Sequence, residues 1–184
     1  MVYVRPKKHL GQHFLTDANI ARKIAASVPC ISSLPLLEIG PGKGILTEYL
    51  LHAFGENFYA VEIDPEAAVV LKERFPELGE RLITGDFLSL SLEDLFPFQV
   101  GLAGNLPYNI SSQIFFRLLD YYNKIPFMVC MVQKEVAERI ASPGGDKDYG
   151  ILSVLLQAHY SVEYLFTVGE HVFFPPPKVK SAVI

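Results

Sequence analysis

The sequence predicts an α/β fold built on a mostly parallel sheet with an antiparallel end. Short apolar runs at 34–40, 58–64, 81–87, 100–103 and 126–133 alternate with stretches of helical spacing up to about residue 160, the pattern of repeated strand–helix units. Two strand-like stretches then come together, Val162–Val168 and the one after Gly169-Glu170. A glycine-rich turn also joins the first apolar run to a helix, the arrangement of nucleotide-type binding folds.

The 184 residues suit one domain with a real core, and half hydrophobic against 20% charged describes a globular chain. The net charge of −4 does not advertise nucleic-acid binding, but its distribution is uneven. Residues 1–24 hold Arg5, Lys7, Lys8, Arg22 and Lys23 against one acid, Asp17, while the remainder holds eleven cations against nineteen acids. Residues 1–15 therefore read as a basic arm on an acidic body, either a polyanion contact or a solvated tail. Cys30 and Cys130 stand far apart in apolar surroundings and read as core residues of a reducing compartment. The five His show no metal-ligand spacing, so no metal is expected. No segment is long and apolar enough for a membrane span, which makes the cytoplasm the expected location.

Taken in order, 5–15 has no regular period, and a helix is expected from an N-cap at Thr16 or Asp17, with Ile20, Ile24 and Val28 on one face and Pro29 at its end. The first buried strand, 34–40, leads into Pro41-Gly42-Lys43-Gly44 and a helix carrying Ile45, Leu46, Tyr49 and Leu50. Glycines let backbone approach a ligand closely, although a lone Gly-rich turn is weak evidence and Gly-x-Gly-x-Gly after Glu38 is not the dinucleotide spacing. The second strand, 58–64, carries Glu62 about 20 residues past the glycines, where a carboxylate commonly takes ribose hydroxyls. The plainer reading of Glu62 is an exposed strand end. Asp64 caps the next helix, with Pro65 at its first position and Val69, Val70 and Phe75 on its apolar side. The third strand ends in Asp86, which suits an adenine amino group, with Phe87 against the ring.

The fourth run, Val100-Gly101-Leu102-Ala103, leads into Gly104-Asn105-Leu106-Pro107-Tyr108-Asn109-Ile110, with helical spacing after it at Ile114, Leu118 and Tyr122. A polar amide, a Pro-fixed backbone and an aromatic ring thus stand at a strand's C-terminal end, where open α/β sheets bind ligands. The exocyclic amine of adenine is a poor nucleophile because its lone pair is delocalised into the ring. The Asn105 oxygen and the Leu106 carbonyl before Pro107 suit acceptance of one amino hydrogen each, which favours a pyramidal nitrogen, and Tyr108 suits stacking on the base. By themselves these residues fit an ordinary turn with a half-buried Tyr equally well. The fifth strand, 126–133, precedes a helix over Lys134–Ala141, a loop at 142–147 and a helical stretch over Tyr149–His159. Gly40–Gly44, Glu62, Asp86 and Asn105 are expected side by side at one sheet edge.

Gln12-His13-Phe14-Leu15, Glu38-Ile39-Gly40-Pro41-Gly42, Glu62-Ile63-Asp64 and Asn105-Leu106-Pro107-Tyr108-Asn109-Ile110-Ser111 resemble, in order, motifs of the ribosomal RNA adenine dimethyltransferases. So do Gln133-Lys134-Glu135-Val136-Ala137-Glu138-Arg139, Tyr149-Gly150-Ile151-Leu152-Ser153-Val154 and Phe173-Phe174-Pro175-Pro176-Pro177-Lys178-Val179. The resemblance runs over nearly the whole chain and is nearest the group that dimethylates two adjacent adenosines near the 3′ end of small-subunit ribosomal RNA.

It implies a Rossmann-like class I methyltransferase with a seven-stranded sheet, using S-adenosylmethionine. His13 and Leu15 would border the cofactor, with Gly40 and Gly42 at its methionine end, Glu62 on the ribose, Asp86 on the adenine and Asn105 at the transferred methyl. The catalytic set would be Asn105, Leu106, Pro107 and Tyr108, with Phe173 on the second face of a flipped adenine. Arg5, Lys7 and Lys8 would contact RNA phosphate. The expected partner is small-subunit RNA in its pre-ribosomal particle, met by a monomer with no membrane contact. The family usually carries Asp where Lys180 stands and continues into a small helical domain, so 1–184 reads as the catalytic domain alone, a fragment. Two other functions fit the fold. Against a non-catalytic rRNA-binding assembly or transcription factor stand intact Asn105, Pro107 and Tyr108. Against an NAD-dependent oxidoreductase stand the glycine spacing and the lack of a hydride-site constellation.

Overall fold

The structure, a computed structural model, describes residues 4–31 and 33–184; the first three residues of the expected arm lie outside it. The chain opens with a 3-10 turn, Lys8–Leu10, and a two-residue strand, β1 (Phe14–Leu15). The elements that follow are α1 (Ala18–Ser27), β2 (Leu36–Ile39), α2 (Ile45–Phe54), β3 (Phe58–Glu62), α3 (Pro65–Arg74), β4 (Leu82–Thr84) and α4 (Leu92–Leu95). Then come β5 (Gly101–Asn105), α5 (Ser111–Asp120), β6 (Met128–Gln133), α6 (Lys134–Ala141), α7 (Ile151–Gln157), β7 (Phe166–Val168), β8 (Phe173–Phe174) and β9 (Ser181–Val183).

Seven strands form one sheet in the order β4-β3-β2-β5-β6-β9-β7. The first five are parallel, and β9 runs antiparallel to both β6 and β7. The predicted sheet, seven-stranded with an antiparallel end, is therefore observed. β8 stands outside it and pairs with β1 instead.

Both faces of the sheet are covered, which is why its strands read as continuous apolar runs. Side chains alternate between the faces. Leu36, Phe58, Ala60, Val129, Met131 and Val183 pack with α1, α2 and α3. Leu37, Val61, Cys130, Val132 and Ala182 pack with α4 to α7.

Local chemistry sets the helix starts. Asp17 caps α1 by accepting from the N–H groups of Asn19 and Ile20, and Asp64 caps α3 by accepting from Glu66, with Pro65 at the first position. Two readings of local burial are corrected. The inner side of α3 is Ala67, Ala68 and Leu71, whereas Val69 is exposed, because a ten-residue helix lying on the sheet buries one stripe. Cys30 is exposed just past the end of α1, and only Cys130 lies in the core. Among the described residues no helix is long and apolar enough to cross a membrane.

Candidate active site

The sheet order sets the ends of β4, β3, β2 and β5 side by side. Asp86, Glu62, the glycine turn and Asn105 follow from those ends in that sequence. Gly40, Gly42 and Gly44 all have positive φ, at 66°, 58° and 78°, a conformation that costs glycine little. A Cβ on Gly40 would meet nothing within 4 Å, whereas one on Gly42 would lie 2.9 Å from the Phe14 ring. The turn therefore presents bare backbone to a cavity on one side and packs tightly on the other.

That cavity encloses about 50 Å³ and is walled by Gly40, Gly42, Glu62, Ile63, Asn105, Leu106, Pro107 and Tyr108, with Leu10 to Phe14 of the arm over it. A larger hollow of about 600 Å³ adjoins it, sharing Gly11, Gln12, His13 and Tyr108 and adding Gln133, Phe174 and Pro175 to Val179.

Glu62 is only 2% exposed, so the plain reading of an exposed strand end does not hold. One carboxylate oxygen accepts from Gly42 N–H at 2.8 Å and the other from Asp64 N–H at 2.9 Å. Burial raises its pKa, and the two N–H donors oppose that rise. On β2, Glu38 is buried and accepts from the Thr47 hydroxyl at 2.7 Å. Burial pushes its pKa up to about 8, against the pull of that hydrogen bond.

The arm is stitched across the strand ends. The Asn105 amide donates to the His13 carbonyl at 3.0 Å, and Asn109 donates to the His9 carbonyl at 3.3 Å. With its nitrogen so committed, the Asn105 oxygen is left as an acceptor. No described residue donates to that oxygen or to the Leu106 carbonyl. The His13 Nδ1 lies 2.8 Å from the Pro175 carbonyl, which can only accept, so Nδ1 carries the proton. The His13 ring stacks on Tyr108 with centroids 5.2 Å apart. The Tyr108 hydroxyl shares a 2.5 Å hydrogen bond with Ser181, a buried residue of β9, and burial raises its pKa.

Four of the expected site residues place their side chains differently from the sequence reading. Phe173, expected against a flipped base, is 4% exposed and packs in the core; Phe174, 48% exposed, walls the hollow beside Tyr108. The Leu15 side chain is likewise in the core, which leaves only its backbone to border the cofactor, and Phe14 lines the cavity. Both shifts have one cause. Phe14 pairs with Phe174 and Leu15 with Phe173, and neighbouring strand residues point to opposite faces. Phe87 is 4% exposed in the core and presents no ring to the cavity, because Asp86 caps a 3-10 turn by accepting from Leu88 N–H, and that turn tucks Phe87 inward. Lys7 is no solvated cation. Its ammonium lies 2.6 Å from Asp64 and 3.2 Å from Glu66.

Arg5 and Lys8 are exposed, Lys8 at the rim of the larger hollow. Phe14, Gln12, Gln133 and Phe174 are among the wall residues not expected from the sequence. Strand alternation out from the arm would have found Phe14, whereas the pairing of β1 with β8 leaves no local signal. Among the described residues no group of three or more His, Cys, Asp or Glu is placed to hold a metal ion.

The family described as ribosomal RNA adenine dimethylase matches residues 4–184. Over the whole chain, the protein is 59% identical to a ribosomal RNA small subunit methyltransferase A of Parabacteroides distasonis and spans 69% of it. It is 58% identical to the protein of the same name from Porphyromonas gingivalis, again over the whole chain, and spans 72% of that one. A solved dimethyladenosine transferase from Plasmodium falciparum superposes with a TM-score of 0.79 at 32% identity, covering 93% of this chain and 62% of its own. The 23S rRNA methyltransferase ErmE superposes at 0.80 with 29% identity, covering 92% of this chain and 67% of its own. With its glycine turn, buried Glu62 and Asn105-Leu106-Pro107-Tyr108 at neighbouring strand ends, this chain belongs to the ribosomal RNA adenine dimethylase family.

Proposed function

We propose that this chain transfers methyl groups from S-adenosylmethionine to the exocyclic amines of two adjacent adenosines near the 3′ end of small-subunit ribosomal RNA, giving dimethyladenosines during ribosome biogenesis. One observation carries the catalytic part. The Asn105 nitrogen is tied to the His13 carbonyl, while its oxygen and the Leu106 carbonyl stand without a donor among the described residues. A binding-only protein has no use for two such acceptors at one strand end. The names of the relatives support the ribosomal RNA part.

The residues fit the cofactor. Gly40 leaves room where any side chain would stand. Glu62 uses one acceptor site on each oxygen for backbone N–H groups, and a carboxylate has about four, so two remain for ribose hydroxyls. Asp86 would take the adenine amine, and His13 would border the methionine end beside Gly40 and Gly42. The space of about 50 Å³ at the glycine turn would take part of the cofactor, and Asp86 lies outside its walls.

When bound, the cofactor supplies a methyl on a positively charged sulfur, which is electrophilic without further activation. The protein's task is then alignment. The Asn105 oxygen and the Leu106 carbonyl accept the two amine hydrogens of the flipped adenine and turn its lone pair out of plane. Pro107 fixes its own φ and disfavours helical backbone at Leu106. Tyr108 stacks on the base, and Phe174 takes the place expected of Phe173 across the hollow. The excess proton of the alkylated amine leaves to solvent, and a second round gives the dimethyl product.

On this reading the protein acts as a monomer on the cytoplasmic pre-ribosomal small subunit. Residues 1–184 would then be the catalytic domain.

The test is methyl incorporation into undermethylated small-subunit particles by this chain. The expected result is dimethyladenosine that depends on Asn105. Cofactor binding without incorporation would sink the catalytic reading of this chain.

A further inference from the structure

We infer that Lys7 is a positioning residue for cofactor binding: its ammonium, held on Asp64, keeps the neighbouring Glu62 carboxylate ionised and aimed at the ribose hydroxyls. The inference rests on the proposed role of Glu62.

Glu62 and Asp64 are two acids two positions apart, at 2% and 0% exposure. Buried carboxylates this close each make the other's ionisation costlier. The cation that offsets them comes from the arm, 57 positions away in sequence. Lys7 Nζ sits 2.6 Å from Asp64 Oδ1, and its second acid, Glu66, lies 3.2 Å away at the surface.

The attachment is built on more than one contact. Gln12 Nε2 donates to the other Asp64 oxygen at 3.1 Å, and Gln12 Oε1 accepts from the Lys7 backbone N–H at 2.9 Å. Lys7, Gln12 and Asp64 thus close a ring of hydrogen bonds. Asp64 also accepts from Glu66 N–H at 3.0 Å, so its carboxylate is fixed from three sides. Its own backbone N–H donates to Glu62. The line from Lys7 through Asp64 to Glu62 therefore carries both charge compensation and orientation. A solvated phosphate-binding lysine would need neither Gln12 nor a buried partner.

The experiment is calorimetric titration of S-adenosylmethionine into the parent, Lys7→Gln, Lys7→Arg, Glu62→Gln and the Lys7→Gln/Glu62→Gln double variant, with thermal midpoints for each. Lys7→Gln keeps a donor for Asp64 and removes the charge. It should weaken binding roughly tenfold, the loss of one well-placed charged contact, and Lys7→Arg should restore most of it. In the Glu62→Gln background the same Lys7 change should cost under about threefold, because the charge then has nothing to act on.

Equal losses in both backgrounds would mean a merely structural lysine and overturn the inference. Unchanged affinity in Lys7→Gln would overturn it too, while a weakened Glu62→Gln would leave the ribose reading standing. Unchanged affinity in Glu62→Gln would overturn both. Should Lys7→Gln fail to fold, Lys7→Met is read by the same criteria.

Discussion

Phe14 stands directly opposite Phe174 in the two-stranded pair of β1 and β8. This places the arm against the Pro175–Pro177 segment and turns two aromatic rings toward the site. The Lys43 ammonium lies 5.1 Å from the Phe14 centroid and 5.7 Å from that of Phe174, so the glycine turn is tied to both strands.

The first prediction separates the paired phenylalanines. Phe174→Ala should lower methyl transfer about ten- to a hundredfold, the loss of one stacking ring at 1–3 kcal/mol, with little change in thermal midpoint. Phe173→Ala should instead destabilise the fold by about 3–5 kcal/mol, the cost of an emptied core site. Denaturant unfolding and single-turnover rates measured on both variants check this. A Phe173→Ala protein of parental stability but lost activity would reverse the assignment.

Asn105→Ala should cut the rate by about a hundredfold or more, since the amine loses one of its two acceptors and its alignment. Cofactor affinity should change far less. The variant also frees the His13 carbonyl from its partner, so Asn105→Asp is a useful companion: it keeps an acceptor but cannot donate to that carbonyl. Burst-phase methylation would show whether either variant retains the chemical step at the parental rate, which would contradict the role.

Tyr108→Phe should keep most of the rate because the ring face is retained. It should nonetheless lose about 1–3 kcal/mol of stability, since buried Ser181 is left without its hydroxyl partner. Tyr108→Ala should cost both activity and stability. If Tyr108→Phe were as inactive as Tyr108→Ala, the hydroxyl and not the ring would be the working group.

Stability should fall as pH rises from about 4.5 through about 8. Glu38 is raised from 4.5 to about 8 in the fold, so across that window the folded state holds a proton that the unfolded state has released. Where the folded state binds more protons, the unfolding free energy decreases with pH. Glu38→Gln keeps the contact with Thr47 and should flatten that slope. Thermal midpoints at several pH values would decide it, an identical slope in both proteins counting against Glu38.

Arg5→Ala and Lys8→Ala should each reduce the salt slope of RNA binding by about one unit, the signature of one phosphate contact. Lys7→Gln should leave that slope unchanged, because its ammonium is committed to Asp64 and Glu66. Filter binding at a series of salt concentrations distinguishes these. A slope reduced by Lys7→Gln and not by Lys8→Ala would restore the simple basic arm.

The chain order of the strands from 34 to 133, a first helix start at Thr16 or Asp17, the cap at Asp64 and the boundaries of α6 were legible in the sequence because each depends on near neighbours. Apolar runs mark doubly covered strands, and a capping side chain reaches only two or three residues ahead. Gly40, Gly42, Glu62 and Asn105 were legible for a related reason. Topology alone carries the ends of parallel strands to one edge, so a residue's place after its strand is enough to put it there.

The remaining features lie where distant segments meet. Pairing between residues 14–15 and 173–174 is a long-range register, and a shift of one residue exchanges the inward for the outward ring. That is why Phe14 and Phe174 face the site while Leu15 and Phe173 fill the core. Composition likewise shows five cations near the start of the chain but not their partners. The ion pair of Lys7 with Asp64 spans 57 positions and exists because the folded arm crosses the end of β3. Local pattern is enough to specify the parallel strands and the chemistry at their edge. Packing of the arm decided which rings and which charge serve that chemistry, because contacts between remote segments are set by three-dimensional register and not by local pattern.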